Sequence, residues 1–380
     1  MKPRYVFNFI SIIIVYTALS LYIGWNSWVW LHSAFGLEEK WIYGFIVGLI
    51  SYSYIIGHFI KRIPLFKMVG SYWFGILQYA ILILPLSNLL ALTLILTGLS
   101  PSSVVNWLGG VVFLFFISLF IYGMYNAYSP VVKTFSVVIP KQIGERKQLH
   151  IAMASDMHFG RLSGIRHVRR LVREMNALKP DIILLPGDII DDDPVPFTQK
   201  RMGDVMKDLS APLGVYGVLG NHEYYGGGIP KFLQEMERIG ITILMDQVIK
   251  INDSFYLAGR KDKTDRQRLP IKTLLKDVDP SLPMIMMDHQ PSEITQAQEN
   301  HVDLLLSGHT HRGQMAPNHL ITKRMFENDW GYLQKGQLHS IVSSGFGFWG
   351  PPLRIGSRSE IIQIQVTFLN TDEISEAGDK

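Results

Sequence analysis

The chain has 380 residues, a formal net charge of +4 and no cysteine. Disulfides, thiolate nucleophiles and zinc–thiolate sites are therefore excluded, and so modest a charge, without a basic stripe or an aromatic platform, does not point to nucleic acid. Length leaves room for about two or three domains, and apolar residues are distributed unevenly enough to show where they lie.

Before residue 130 four stretches are almost free of charge: Tyr5–Ile23, Trp41–Ile60, Tyr72–Leu96 and Gly109–Tyr125. Each approaches the ~20 residues that a helix needs to cross a hydrocarbon core, so residues 1–130 are expected to form a membrane domain of four transmembrane helices. The first stretch follows Lys2 and Arg4 as a signal peptide would, but it is long for one and no small-residue cleavage site follows, which makes it a retained anchor. Tyr5, Tyr22, Trp25, Trp28, Trp30, Trp41 and Trp107 lie near the expected ends, where amphipathic rings suit the interface. Cations gather at the start (Lys2, Arg4), in the second loop (Lys61, Arg62, Lys67) and after the fourth stretch (Lys133, Lys141, Arg146, Lys147). The positive-inside rule then places both termini, and everything after residue 130, in the cytoplasm of a multi-pass cell-membrane protein. Basic residues beside the bilayer suit anionic headgroups.

Residues 131–147 read as a linker, 148–368 as an α/β domain and 369–380 as a polar tail. In the α/β region short apolar runs alternate with amphipathic charged segments. Expected strands are Leu149–Ala154, Ile182–Leu185, Val215–Leu219, Ile241–Leu244, Phe255–Ala258, Met284–Met287, Val302–Leu306, Ser340–Val342 and Ile361–Val366. In "GIRHVRRLVREMNALKP" Val168, Leu171, Val172, Met175 and Leu178 share one helical face, and the pattern stops before Pro180.

Polar residues follow several of these runs. After the first comes "SDMHFG" with Asp156 and His158; after the second "PGDIIDDD" with Asp188; after the third "GNHEYYGGG" with Asn221 and His222. "DHQP" with Asp288 and His289 follows "MIMM", and "SGHTHRGQ" with His309 and His311 follows "VDLLL". Any one of these is compatible with a buried hydrogen-bonded pair or a turn. Five in succession are not explained by core packing, which gains nothing from gathering imidazoles and carboxylates on one rim, whereas open α/β sheets collect functional groups at strand carboxyl ends. The donors mix imidazole with oxygen and contain no sulfur, which suits Mn²⁺, Fe or Zn²⁺. Seven or eight ligands are too many for one ion; two divalent ions sharing a carboxylate would use them all, clamp a phosphate and lower the pKa of a bridging water.

Asp-x-His, Gly-Asp, Gly-Asn-His-Glu, a single His and Gly-His-x-His, in this order over Gln148–Val366, resemble the calcineurin-like metallophosphoesterases. Within that family the "GHTHRGQ" ending most resembles the bacterial membrane-linked branch that includes lipid-A-pathway and phospholipid-acting enzymes. The resemblance implies a two-sheet αββα sandwich with a dinuclear site at one edge. It implies that Asp156, His158 and His311 hold a first metal, that Asp188 bridges, and that Asn221, His289 and His309 hold a second. It implies His222 as the general acid at the leaving oxygen. Arg312 stands where the branch often has glycine, and reads either as a solvated surface residue or as a bidentate phosphate ligand.

Glu223 is expected to hydrogen-bond behind the ligands, Asp191–Asp193 to form a solvated loop in which Asp192 is the residue to test, and His167, His301, His319 and His339 to be structural or superficial. In "SSGFGFWGPPLRIGSRSE", Phe346, Phe348 and Trp349 either cover the core or meet lipid, with Arg354 reaching a headgroup phosphate. "GRKDKTDRQRLP", residues 259–270, reads as a solvated cationic loop near the entrance. The functional expectation is a bilayer-anchored phosphoesterase that hydrolyses a phosphate ester or pyrophosphate bond in a lipid-linked substrate. The alternatives are a phosphodiesterase on soluble nucleotides and a non-catalytic membrane scaffold. None of these motifs specifies an oligomeric state.

Overall fold

The computed structural model describes residues 3–60, 63–142 and 146–369. Lys2, Lys61, Arg62 and the tail from residue 370, on which part of the orientation and domain reading rests, lie outside the described residues. Two compact units emerge, one of Met1–Gly123 with Gly350–Pro352, the other of Met124–Trp349 with the chain from Leu353.

The first unit is helical: α1 (Pro3–Phe35), α2 (Lys40–Phe59), α3 (Pro64–Leu96) and, running into the second unit, α4 (Pro101–Tyr128). All four are long and apolar enough to cross a membrane. α1, α3 and α4 outrun the charge-free stretches because helical hydrogen bonding, which must satisfy every backbone group in hydrocarbon, continues into the flanks. Pro64 and Pro101 open their helices at a position where no intrahelical N–H is needed. Ile23, Trp73, Ala80 and Leu84 form the buried centre of this unit.

The second unit runs β1 (Val131–Ile139), β2 (Gln148–Met153), α5 (Ile165–Ala177), β3 (Ile182–Pro186), α6 (Pro194–Gln199), α7 (Gly203–Met206), β4 (Val215–Val218), α8 (Asn221–Tyr225), α9 (Ile229–Arg238) and β5 (Ile241–Ile243). It continues β6 (Gln247–Ile251), β7 (Phe255–Gly259), α10 (Ile271–Leu274), β8 (Met284–Met287), α11 (Ile294–Glu299), β9 (Leu304–Ser307), a 3-10 turn (His311–Gly313), α12 (His319–Met325), β10 (Gly331–Lys335), β11 (Leu338–Val342) and β12 (Glu360–Phe368). Two six-stranded mixed sheets result, ordered β1-β12-β2-β3-β4-β5 and β10-β11-β9-β8-β7-β6. Ile151, Met153, Leu184 and Ile364 from the first sheet pack against Leu257, Ile285, Leu304 and Ile341 from the second in one apolar layer. The outer face of the first sheet is covered by Val168, Leu171 and Met175 of α5 and by Phe232 and Met236 of α9, that of the second by Ile271 of α10 and Ile294 of α11. This is the αββα sandwich expected from the sequence.

Three strands escape the sequence reading. The segment 131–147, taken for a linker, begins with β1, which pairs in parallel with β12 from Val131↔Glu360 to Ile139↔Phe368. Its alternation is masked by Lys133 on the more buried side and by Val132 and Val138 on the exposed side, and Lys133 is accommodated because it pairs with Glu360 at 3.2 Å. The end strands β6 and β10 carry lysine and glutamine, the polar composition that protects sheet edges.

Ile364 lies in the layer between the sheets with 0% exposure, and Gln365 beside it is exposed. Ile364→Ala is expected to destabilise the second unit by about 2–5 kcal/mol and Gln365→Ala by less than about 0.5 kcal/mol, read as urea midpoints of the detergent-solubilised full chain at unchanged slope.

Candidate metal centre

The residues singled out in the sequence meet at one rim of the sandwich. Asp156 and His158 follow β2, Asp188 follows β3, Asn221 and His222 open α8 after β4, His289 follows β8, and His309 and His311 follow β9. Asp156, His158, Asp188, His309 and His311 all have φ between 45° and 72°, a region that non-glycine residues enter at a cost of about 1–3 kcal/mol each. The turns are held by backbone bonds, Asp156 N–H to Gly187 O at 3.1 Å, His158 N–H to Asp188 O at 3.0 Å and Gly347 N–H to Asp156 O at 2.8 Å. Two glycines are needed for the crowding: a Cβ on Gly187 would lie 2.5 Å from His289 Nδ1, and one on Gly308 2.2 Å from Asp156 Oδ2.

"SGHTHRGQ" does not reach the rim as an extended segment. β9 ends at Ser307 and the chain coils at once into the 3-10 turn, capped by Thr310, whose Oγ accepts from Arg312 N–H at 3.1 Å. Both histidines point inward because His309 and His311 take positive φ on either side of Thr310; strand alternation plays no part.

Three groups of residues that could hold an ion occur among the described residues, one of them His158, Asp191 and His222; the other two match the sequence motifs. Atoms of Asp156, His158 and His311 lie within 4.8 Å of one another, as do atoms of Asp188, His289 and His309. Asn221 Oδ1 completes the second, 2.8 Å from His309 Nδ1 and 3.2 Å from His289 Nε2. Asp188 Oδ2 faces both, 3.1 Å from His289 Nε2 and 3.7 Å from His158 Nε2, while its Oδ1 accepts the His222 amide at 2.9 Å.

In the first group, His158 Nε2 and His311 Nε2 stand 3.0 Å apart. Burial pushes His158 down to about 3 and His311 well below the usual histidine range. Arg354 Nη2 donates toward His311 Nδ1 at 3.2 Å, so the neutral His311 ring offers its Nε2–H to His158 Nε2; the two rings and the Asp156 carboxylate together form a nitrogen and oxygen set that suits a divalent cation in place of that proton. Burial raises Asp156 to about 6 and lowers His309 to about 4. In the second group the opposing effects are unequal. Burial alone would raise Asp188 and lower His289, but their mutual attraction prevails and holds Asp188 low and His289 well above its ordinary value. A divalent cation would take the place of that His289 proton, and His289 Nδ1, 2.9 Å from Pro186 O, is anchored so that Nε2 faces the centre. The donor set thus fits divalent metal on both sides of Asp188.

Around the ligands, Glu223 accepts the amides of Asp188, Ile190 and Gly220 at 3.2, 3.0 and 2.7 Å, and burial with Asp188 nearby lifts it to about 8. His222 stacks edge-on to His158 with ring centres 4.5 Å apart. Its Nδ1–H donates to Asp192 Oδ1 at 2.8 Å. Burial would lower His222, yet the Asp192 hydrogen bond and the charges of Asp188 and Asp191 raise it to about 9. Asp192 therefore does more than occupy a solvated loop, and its sequence signal was only its place four residues after Asp188.

Other expectations change. Arg354, expected to reach a headgroup, has 0% exposure. Its guanidinium is spent on Ser344 O, Gly345 O and Gly347 O at 2.6, 3.1 and 2.7 Å, and Nη2 lies 3.2 Å from His311 Nδ1. It organises the glycine-rich loop because backbone carbonyls turned inward there need donors. Phe346 and Phe348 are buried, and only Trp349 of that trio is exposed. Arg312 is half-buried and stacks 3.9 Å above the Trp330 ring. Arg260 and Arg268, expected in a solvated loop, are buried against Asp288, so Asp288 faces them and leaves His289 alone to represent its motif. His167 and His339 are structural, their Nε2 atoms 3.2 Å from Phe346 O and 3.0 Å from Val138 O.

The two arginines should therefore separate on mutation. Arg354→Met, which strands buried carbonyls, is expected to cost on the order of 3 kcal/mol, whereas Arg312→Ala is expected to cost under about 1 kcal/mol; thermal melts of the full chain in detergent check both.

The calcineurin-like phosphoesterase family model matches residues 149–313. An uncharacterized metallophosphoesterase of Aquifex aeolicus is 33% identical over 228 residues, 58% of this chain and 85% of that protein. One from Helicobacter pylori is 35% identical over 226 residues, 58% of this chain and 60% of the relative. A transmembrane protein with metallophosphoesterase domain from Danio rerio is 31% identical over 262 residues, 64% of this chain and 59% of the relative. The chain thus spans about three fifths of the length of the Helicobacter and Danio relatives. The motif order, the sandwich with its rim of imidazoles and carboxylates, and the extended match to the Aquifex protein together show that the chain belongs to the calcineurin-like metallophosphoesterase family.

Proposed function

We propose that this chain is a membrane-anchored, metal-dependent phosphoesterase that hydrolyses a phosphate ester or pyrophosphate bond in a lipid-linked substrate, with its catalytic unit on the cytoplasmic side. The observation that carries the reading is Asp188 Oδ2, which faces one ligand group at 3.1 Å and the other at 3.7 Å, as a carboxylate shared by two ions would. Asp156, His158 and His311 would hold one divalent ion and Asn221, His289 and His309 the other; the mixed nitrogen and oxygen donors suit Mn²⁺, Fe or Zn²⁺. Bound metal would supply charge stabilisation for a phosphoryl group and a more acidic water. The four membrane-length helices support a substrate presented at a bilayer, and the cations flanking the second and third spans support the orientation.

The chain's own residues divide the remaining work. Glu223 fixes the Asp188 turn through three amides, and Gly187 and Gly308 let the ligands close in. His222 keeps Nδ1–H on Asp192, which leaves Nε2 to hold a proton for the leaving oxygen, and the raised affinity of the imidazole keeps that proton in place at neutral pH.

Four experiments on the protein in lipid test this. Chelation is expected to abolish hydrolysis of an aryl phosphate and Mn²⁺ to restore it, with Asp188→Asn lowering kcat by about 10³-fold or more and halving bound metal. Turnover of phospholipids and nucleotide-linked lipids is expected to exceed that of soluble nucleotides, and the reverse preference would reject the lipid-linked substrate. His222→Gln is expected to lower kcat by about 10²–10⁴-fold. Asp192→Asn should lower it by roughly 10-fold with KM unchanged, as loss of an orienting partner would.

A further inference from the structure

α12 is an unusual helix for a well-packed domain. It has seven residues, none of them buried, and it displays Leu320, Ile321 and Met325 at 56%, 59% and 69% exposure. So short a helix has little intrinsic stability and no core-facing stripe to hold it. It is held on its polar side: Thr322 Oγ donates to Asp329 Oδ2 at 2.7 Å, and Asp329 O accepts from Thr310 Oγ at 2.5 Å. Thr310 stands between His309 and His311, so the helix is bonded to the turn that carries two of the rim's imidazoles. Phe326, just past the helix, packs edge-on to His309 with ring centres 6.0 Å apart.

An exposed ring is tied by its backbone to Gln314, the residue that follows the 3-10 turn. Gln314 exchanges two hydrogen bonds with the backbone of Trp349, Nε2–H to Trp349 O and Trp349 N–H to Oε1, both at 2.7 Å. The Trp349 side chain is 59% exposed. Lys323 and Arg324, exposed on α12, have no carboxylate partner among the described residues. The nearby acids are otherwise engaged, Glu327 with Lys335 at 2.8 Å and Asp329 with Thr322. The surface thus combines large exposed apolar groups, a tryptophan and unneutralised cations.

A soluble partner protein would match the apolar residues, but apolar groups flanked by tryptophan and free cations are the composition of a surface that lies in a bilayer interface. Long cationic side chains keep their charge at the headgroups while the apolar groups enter the acyl boundary, and anionic phosphates supply the opposite charge. The chain carries four membrane-length helices and so has a bilayer at hand. We infer that α12 and Trp349 form a bilayer-docking surface: Leu320, Ile321, Met325 and Trp349 enter the headgroup–acyl boundary and Lys323 and Arg324 meet anionic lipid phosphates. The docking surface is bonded through Asp329 and Gln314 to the turn that bears His309 and His311, and so sets that turn at the membrane surface whether or not the substrate is lipid-linked.

Because the chain has no cysteine, single labels test this in the full-length protein. Ile321→Cys, Met325→Cys and, as a control on an exposed distant helix end, Lys207→Cys each carry an environment-sensitive fluorophore, in vesicles of phosphatidylcholine and phosphatidylglycerol. At 321 and 325 a blue-shifted emission is expected, quenched by spin-labelled lipid at least about threefold more strongly than at 207 and protected from iodide. Lys323→Glu combined with Arg324→Glu, checked for an unchanged melting temperature, is expected to abolish that lipid quenching. Iodide-accessible labels at 321 and 325 without lipid quenching overturn the inference. So does a blue shift that follows protein density instead of lipid, which would mean contact between copies of the chain. No readout depends on hydrolysis, so the result stands apart from the proposed activity.

Discussion

Burying the Asp188 carboxylate between two groups of imidazoles is the constraint on which the second unit depends. An ionised carboxylate out of water is expensive unless opposite charge or donors surround it. Here His289 at 3.1 Å, the His222 amide and the more distant His158 provide that surrounding. The same attraction that holds Asp188 ionised keeps a proton on His289, whereas His158 and His311, beyond its closest reach, are stripped of theirs by burial. The site therefore has a built-in asymmetry: one side holds a carboxylate–imidazolium pair and the other two neutral imidazoles beside the Asp156 carboxylate.

A sandwich can hold such a cluster because its strands end together. Each ligand sits in the first turn after a strand, and the strands themselves are locked between sheet and helix by residues such as Met153, Leu184 and Met287, which have 0% exposure. Rigid strands allow the turns to adopt positive φ, since the strain at Asp156, His158, Asp188, His309 and His311 is shared by a scaffold that cannot relax toward any one of them. A second ring then supports the first. Glu223 gathers three amides beneath Asp188, Arg354 gathers three carbonyls behind His311, and Arg260 with Arg268 draws Asp288 away from the centre.

That second ring was the part least visible in the sequence. The rim residues could be read because motifs confined to strand ends have few structural explanations. Arg354 could not, because an arginine in a glycine-rich loop looks alike whether it faces solvent or, as here, inward-turned carbonyls. Residues 259–270 seemed solvated for the same reason: five cations among polar residues gave no hint that Arg260 and Arg268 would find Asp288, twenty or more positions later. β1 was missed because Lys133 interrupts its alternation, and the lysine is satisfied there by Glu360 and the Trp330 ring, both about two hundred or more positions later.

By itself the sequence determined what is local or additive. Charge-free stretches near the length of a bilayer core mark four membrane helices, alternating patterns mark an α/β domain, and the motif set identifies the family and its ligand types. Tertiary structure alone decided the matters that depend on distant partners. These are which arginines are buried, that Asp192 of the solvated loop backs His222, and that α12 is left with an uncovered apolar face. The physical reason is that burial and electrostatics are properties of what surrounds a residue, and neighbours on the rim come from strands scattered over the whole domain.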